Sequence, residues 1–300
     1  MSAISERPLT FDELLETHTC GQGELLTFAV EEGWDVYNPA PYLVDGEVHL
    51  LSRVEKQNGK ISHLKHFMPG SSVNGYVPNS ELPIIPLAED AFIKFINGQV
   101  VQGIVKVKQI DGDEVEALHT EISVGKELVN RRPLVVGPPG MKDIRLFQMP
   151  GERVGALTRP EDPIAKTKGV NLTFFDSLEE VTAEGLRTAP AVPGLQSPIH
   201  GEHRGGNEGR MLANGYIGYL GHIARVGSDM YKEYVVETAY IDPDTLEVHN
   251  QQVVACPNCF PVFRPKTDHH EQVVFPQGIV DGRLYVGLGD AACGMLRLNS

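Results

Sequence analysis

The stretch Gly137–Pro160 reads GPPGMKDIRLFQMPGERVGALTRP. A polar knot, Lys142-Asp143-Ile144-Arg145, comes first, followed by the short apolar run Leu146-Phe147. Pro150-Gly151-Glu152 makes a turn, and Val154-Gly155-Ala156-Leu157 returns to Thr158-Arg159. Apolar runs this short, bounded by Gly and Pro, read as a β-hairpin rather than a helix. On its own the knot reads as a charged surface loop. The same pattern, however, recurs along the chain.

Asn38 to Val44 turns at Asp45-Gly46 and returns as Val48 to Arg53. Glu89-Asp90-Ala91-Phe92 leads into a strand that turns at Asn97-Gly98 and returns as Val100 to Val105. Gly205-Gly206-Asn207-Glu208 leads to a turn at Asn214-Gly215 and returns through Tyr216 to His222. Val273 to Gly278 turns at Asp281-Gly282 and returns as Leu284 to Asp290. Asn-Gly and Asp-Gly suit tight hairpin turns, which require positive φ. The anchors Asn38, Asp90, Asp143, Asn207 and Phe275 fall roughly 52 to 68 residues apart, a spacing that signals a propeller-like array. The pattern predicts an all-β, five-bladed β-propeller. Residues 1–34 would form a cap or edge segment and residues 35–300 a single domain. In such a ring the first strand of each blade lines the axis, so five separate polar spots would converge on one pocket.

The 300-residue chain carries a net charge of −14, which argues against nucleic acid, whose phosphates need Lys and Arg. No apolar run approaches the ~20 residues of a membrane helix, and the N-terminus lacks a secretory pattern. The reading is a cytoplasmic protein with no membrane partner. Of the cysteines Cys20, Cys256, Cys259 and Cys293, only Cys256-Pro257-Asn258-Cys259 forms a CxxC. Zinc would need two more ligands. His269 and His270 are the nearest candidates, but their spacing matches no zinc pattern, so the thiols read as buried or incidental and no metal or cofactor is expected.

Phe11 to Glu16 reads as a helical turn capped by Thr10. Trp34, the sole tryptophan, reads as core or as a sugar-stacking face. Ala189 to Arg204 reads as a rim loop. No Gly-rich phosphate loop opens a helix, and no GxSxG nucleophile elbow occurs.

At the predicted axis, the carboxylates Glu89, Asp90, Asp143, Glu208 and Asp290 would meet the cations and donors Asn38, Arg53, Lys142, Arg145, Arg159, Asn207 and His222. Facing carboxylates raise one another's pKa, so one serves as acid while another stays ionised. Glycosidic cleavage requires such a division of roles. Clustered Lys and Arg would also hold a phosphate nucleophile. For each charge the competing reading is a buried ion pair that seals the ring.

The order NPA…LLSR, EDAF, KDIRL…LTR, GGNE…GYLGHI and VVFPQG…LYVGLGDAACGMLRL resembles glycoside hydrolase family 130, and more closely a family of unknown function with that fold. The resemblance covers about residues 35 to 298 and implies a five-bladed propeller acting on β-mannosides as phosphorylase or hydrolase. It makes Asp90 the general acid, Lys142 and Arg159 phosphate contacts, and Asn38, Arg53, His222 and Asp290 substrate contacts. The phosphorylases' Glu-Asp-Pro-Arg is here Glu89-Asp90-Ala91-Phe92, so its Pro and Arg are missing. Their Gly-Pro-Pro-Pro is replaced by Gly205-Gly206-Asn207-Glu208, which makes Glu208, or Asp143, a candidate base for water. The expectation is inverting cleavage of a mannoside-like bond by hydrolysis, or by phosphorolysis with inorganic phosphate as second substrate. Glu89, Arg145 and Asn207 would complete the binding set. One alternative is a non-catalytic carbohydrate-binding propeller. A weaker one is a metal enzyme using His203, His222 and His270.

Overall fold

The computed structural model describes residues 7–19, 21–110, 112, 114–160, 169–227 and 230–298. Its architecture is all-β, and the five expected hairpins are its frame. Trp34–Val44 pairs antiparallel with Glu47–Lys56, Ala88–Ile96 with Gln99–Gln109, and Arg145–Gln148 with Val154–Thr158. Glu202–Met211 pairs with Ile217–Val226, and Gln272–Val280 with Arg283–Leu288. Three of the turns have both central residues at positive φ: Asp45-Gly46, Asn97-Gly98 and Asp281-Gly282. This is the conformation that selects Asn or Asp followed by Gly.

Each hairpin grows outward by further antiparallel strands. Ser62–Pro69 and Gly75–Pro78 extend the first, Val115–Gly125 and Arg132–Val136 the second, and Asn171–Phe175 the third. Lys232–Ile241 and Val248–Ala255 extend the fourth. The fifth gains Ala292–Arg297, and its outer edge is completed by Gly23–Leu25 from the start of the chain. The fourth and fifth sets are not separate sheets by strand pairing. A two-residue parallel contact, Glu233-Tyr234 against Gln272-Val273, joins them into one eight-stranded sheet.

The core lies between successive hairpin sets. Ala40, Leu51 and Leu64 of the first pack with Ala88, Ala91 and Ile93 of the second. Phe92 and Ile122 pack with Ile144, Leu146 and Ala156. Phe147, Leu157 and Leu172 pack with Ile217 and Tyr219. Leu220, Ile223 and Val236 pack with Val274, Leu284 and Val286. Tyr285 and Cys293 of the fifth pack with Val36, Tyr37 and Leu50 of the first. Each set thus shares a core with the next, and the last shares one with the first. Burying each of the Val, Leu, Ile and Phe side chains among these contributes about 1.5–3 kcal/mol.

The short helix Phe11–Leu15 starts at Thr10, whose hydroxyl accepts from Glu13 N–H in a reciprocal capping box. Phe11 and Leu14 enter the core beside Ile223 and Val235. Phe11 N–H donates to Glu202 and Arg204 donates to the Leu9 carbonyl, so the N-terminal segment is bonded to the fourth hairpin. Trp34 is half-buried, in an edge-to-face contact with His63 and with Lys65 over its ring. Among the described residues, no helix is long and apolar enough to cross a membrane.

Candidate active site

The local device that builds the site is the β-bulge. The first strands of four hairpins lose register mid-strand, between Tyr37 and Ala40, Glu89 and Phe92, Gly206 and Glu208, and Pro276 and Gly278. A bulge frees one residue from the ladder and re-aims its side chain, which is why bulges gather beside active sites. Asn38 and Asp90 occupy two of them, at φ 51° and 42°. Asp143, just before its strand, and Asp290, in the turn after Arg283–Leu288, adopt the same left-handed conformation at φ 54° and 53°. Asn and Asp are the non-glycine residues that tolerate it most readily.

These residues surround one cavity of about 200 Å³ lined by Asn38, Arg53, Glu89, Asp90, Lys142, Asp143, Arg159, His222, Tyr234, Val273, Phe275 and Asp290. Every hairpin set contributes. The sequence expectation placed Asn38, Arg53, Glu89, Asp90, Lys142, Asp143, Arg159, His222 and Asp290 at one pocket, and they line this cavity together. Glu208 does not line it. The bulge at Asn207 sets Glu208 opposite Leu220, one step further along the strand from the cavity than Gly206. The Glu208 carboxylate pairs with Lys94 at 2.7 Å and accepts from the Ile279 N–H at 2.9 Å. It borders a second cavity of about 670 Å³ with Thr17, Tyr219 and Gln251. That cavity is larger, but the ionisable groups converge on the small one.

Arg145 and Asn207 stand behind the cavity wall. Arg145 is fully buried, lies over the Phe92 ring at 5.5 Å, and approaches Asp143 at 3.8 Å. Asn207 Oδ1 accepts from His222 Nδ1 at 2.8 Å, leaving Nε2 as the free lone pair of a buried ring. Burial drives the His222 pKa well below its ordinary value, with Arg159 adding to the effect against Asp143, so the ring is neutral. Gly205 gives it room, since a Cβ there would sit 2.5 Å from His222 Cε1.

Two ion-pair networks set the electrostatics. Arg53 pairs with Glu89 at 2.8 Å and with Glu55 at 3.3 Å, while Lys142 approaches Glu89 at 3.8 Å. Burial pushes the Glu89 carboxyl up; Arg53 and Lys142 oppose this and Asp90 adds to it. In the other network Arg159 Nε meets Asp143 Oδ2 at 3.0 Å. Burial pushes the Asp143 carboxyl up, but the cations around it, Arg159 first and then Arg145 and Lys142, outweigh it and hold it at about 2. Asp143 is therefore ionised and its oxygens serve arginines. Asp90 Oδ1 accepts from Asn38 Nδ2 at 2.8 Å. Lys142 and Asp290 remain partly exposed at the mouth, and His270 approaches Asp290 at 3.5 Å.

The expected site residues did not include Tyr234, Val273 and the side-chain role of Phe275. Tyr234 stacks on His222 at 5.6 Å and Phe275 lies against the same ring at 4.8 Å, forming an apolar wall. The alternation of Tyr231 to Ile241 marks a strand but gives no sign that it reaches the site. His203, His222 and His270 do not gather as metal ligands. His203 bonds the Tyr234 hydroxyl at 3.1 Å, and His270 faces Asp290.

The sheet order and this charged cavity define an all-β protein related in fold to glycoside hydrolase family 130. One such structure, whose report describes family members as mannoside phosphorylases and as hydrolases of β-1,2 mannosidic linkages in Candida mannan, is 15% identical at TM-score 0.61 and covers 97% of this chain and 96% of its own. The chain belongs to the family described as "Protein of unknown function (DUF1861)", whose model matches residues 13–300. It is similar to MPT-4, a mannose phosphorylase from Leishmania mexicana solved with phosphate ion. The identity is 26% and the TM-score 0.83, with 97% of this chain and 92% of that one covered. It is also similar to MPT-1, a GDP-Man-dependent mannosyltransferase from the same organism, at 25% identity and TM-score 0.82, with 96% and 92% covered. No curated protein sequence matches.

Proposed function

We propose that the protein is a glycosidase-like enzyme that cleaves a mannoside by inverting transfer to inorganic phosphate. The observation that carries this reading is the convergence of Glu89, Asp90 and Asp290 with Arg53, Lys142 and Arg159 on one small cavity. Asp90 protonates the bridging oxygen as its bond to C1 breaks. A phosphate oxygen, held by Lys142 and Arg159, bonds C1 from the opposite face and yields the sugar 1-phosphate. Arg53 and Glu89 fix the acid's surroundings, and Asn38 orients its carboxyl through the 2.8 Å bond. His222, Tyr234 and Phe275 give the sugar an apolar face. The similarity to a mannose phosphorylase solved with phosphate supports phosphate as the acceptor. Water as acceptor has less support, because Glu208 borders the other cavity and Asp143 is bound by arginines.

The same reading gives the fold its finer form, a ring of five blades. It is supported by the cyclic sharing of cores, by a contribution to the cavity from every hairpin, and by Gly23–Leu25 completing the last set.

A second reading is a cavity that binds sugar without chemistry. It is favoured by Phe92, which stands where the phosphorylase motif carries Arg and packs in the core beneath Arg145. Two variants separate the readings. Asp90→Asn should abolish turnover with the fold and sugar binding retained, and Lys142→Ala should raise the phosphate KM at least tenfold. Unchanged turnover in Asp90→Asn would sink the catalytic reading.

A further inference from the structure

Away from the cavity, the CxxC segment meets a partner that its sequence neighbourhood does not reveal. Pro257–Cys259 forms a short 3-10 turn after the strand Val248–Ala255. Within it the Cys256 N–H donates to Cys259 Sγ at 3.3 Å, and the Cys259 N–H donates to the Cys256 sulfur. The segment following the N-terminal helix runs alongside. Thr19 N–H donates to the Val253 carbonyl and Val253 N–H to Thr17 Oγ1, both at 3.1 Å. These two bonds flank His18 and hold it against the turn. His18 Nε2 lies 3.3 Å from Cys256 Sγ and 3.7 Å from Cys259 Sγ, and the two sulfurs are 3.7 Å apart.

Those separations are the edges of a metal tetrahedron. With Zn–S about 2.3 Å and Zn–N about 2.0–2.1 Å, tetrahedral angles put two sulfurs ~3.8 Å apart and sulfur and nitrogen ~3.5 Å apart. Soft sulfur with one imidazole is a donor set that suits zinc. We propose that His18, Cys256 and Cys259 form a structural zinc site that ties the N-terminal segment to the turn after Ala255. His269 and His270, the candidates nearest in sequence, are not part of it. Cys20 lies outside the described residues.

Cys256 is a free buried thiol, whereas Cys259 is disulfide-bonded. Disulfide and zinc thiolate are alternative states of one sulfur, so the site loads in the reduced chain. A phosphine reductant supplies two electrons per disulfide and yields two thiols. Zn²⁺ then displaces one proton from each cysteine it binds. The consequence is mechanical. The segment fastened by the metal leads into Gly23–Leu25, the strand that pairs Ala292–Arg297.

The test uses the full chain, without an affinity tag that binds metal, purified under a phosphine reductant from zinc-supplemented cells. Elemental analysis should find about one zinc per chain. His18→Ala and Cys256→Ser should cut it at least fivefold. Cys293→Ser, which alters the other free buried thiol, should keep it. Cobalt loaded into the wild-type chain should show thiolate charge-transfer absorption, a readout that needs no variant to fold. Reduced wild-type protein with less than a fifth of a zinc and no cobalt–thiolate band overturns the proposal. So does zinc that persists in both His18→Ala and Cys256→Ser.

Discussion

Replacing Asp143 by Asn tests the electrostatic account of the cavity quantitatively. Asp143 is buried, with Arg159 Nε 3.0 Å from Oδ2 and Arg145 3.8 Å from Oδ1. These partners overcome the penalty of burial and lower its pKa from 3.8 to about 2. At 1.36 kcal/mol per unit, that difference is worth about 2 kcal/mol to the folded state. The folded pKa lies below the unfolded one. The contribution is therefore complete above about pH 4 and is lost as pH falls toward 2. Asn at neutral pH removes it and also leaves the buried Arg145 and the half-buried Arg159 without their anion, a defect of about 3–5 kcal/mol. The assay is urea unfolding followed through Trp34, the only tryptophan, at pH 7 and pH 3. Asp143→Asn should lose at least 2 kcal/mol at pH 7, with a gap about 1 kcal/mol smaller at pH 3. A loss below about 0.5 kcal/mol at pH 7, or a gap unchanged by acid, would refute the reasoning.

Other expectations follow from the same contacts. A Cβ on Gly287 would lie 1.9 Å from Asn38 Oδ1; Gly287→Ala should cost about 1–3 kcal/mol and turnover should fall at least tenfold, read by thermal melts and steady-state kinetics. Glu208→Gln breaks the 2.7 Å pair with Lys94; it should cost about 1–3 kcal/mol and leave turnover within a few-fold, whereas a dead but stable variant would return Glu208 to the chemistry. His222 is held neutral by burial, so imidazole NMR should show no titration of this ring between pH 5 and pH 8; a midpoint near 6.5 would contradict its placement.

The hairpins were legible because their turns are written in Asp-Gly and Asn-Gly, and the cavity because each first strand carries polar residues where a core strand would not. Glu208 entered the expected set because GGNE stands where the phosphorylases carry Gly-Pro-Pro-Pro, and that match does not say how far along the strand its side chain lies. The bulge between Gly206 and Glu208, which has no reliable sequence mark, sets it instead beside Lys94 and the Ile279 N–H. Tyr234 was invisible because it reaches the cavity from the third strand of its set, without any motif. The parallel contact that fuses the fourth and fifth sets spans only two residues on each strand, too little to leave a pattern. His18 lies 238 residues before Cys256, so local spacing could not pair them; the match lies in tertiary distance alone.

The central claim is mannoside cleavage with phosphate as acceptor. The most direct test incubates the purified protein with a panel of β- and α-mannosides, glucosides and arabinosides, with and without inorganic phosphate, and identifies the products by phosphorus NMR and anion-exchange chromatography. The account predicts a mannose 1-phosphate that appears only when phosphate is present. Free mannose released equally without phosphate, or no product from any glycoside, would contradict it.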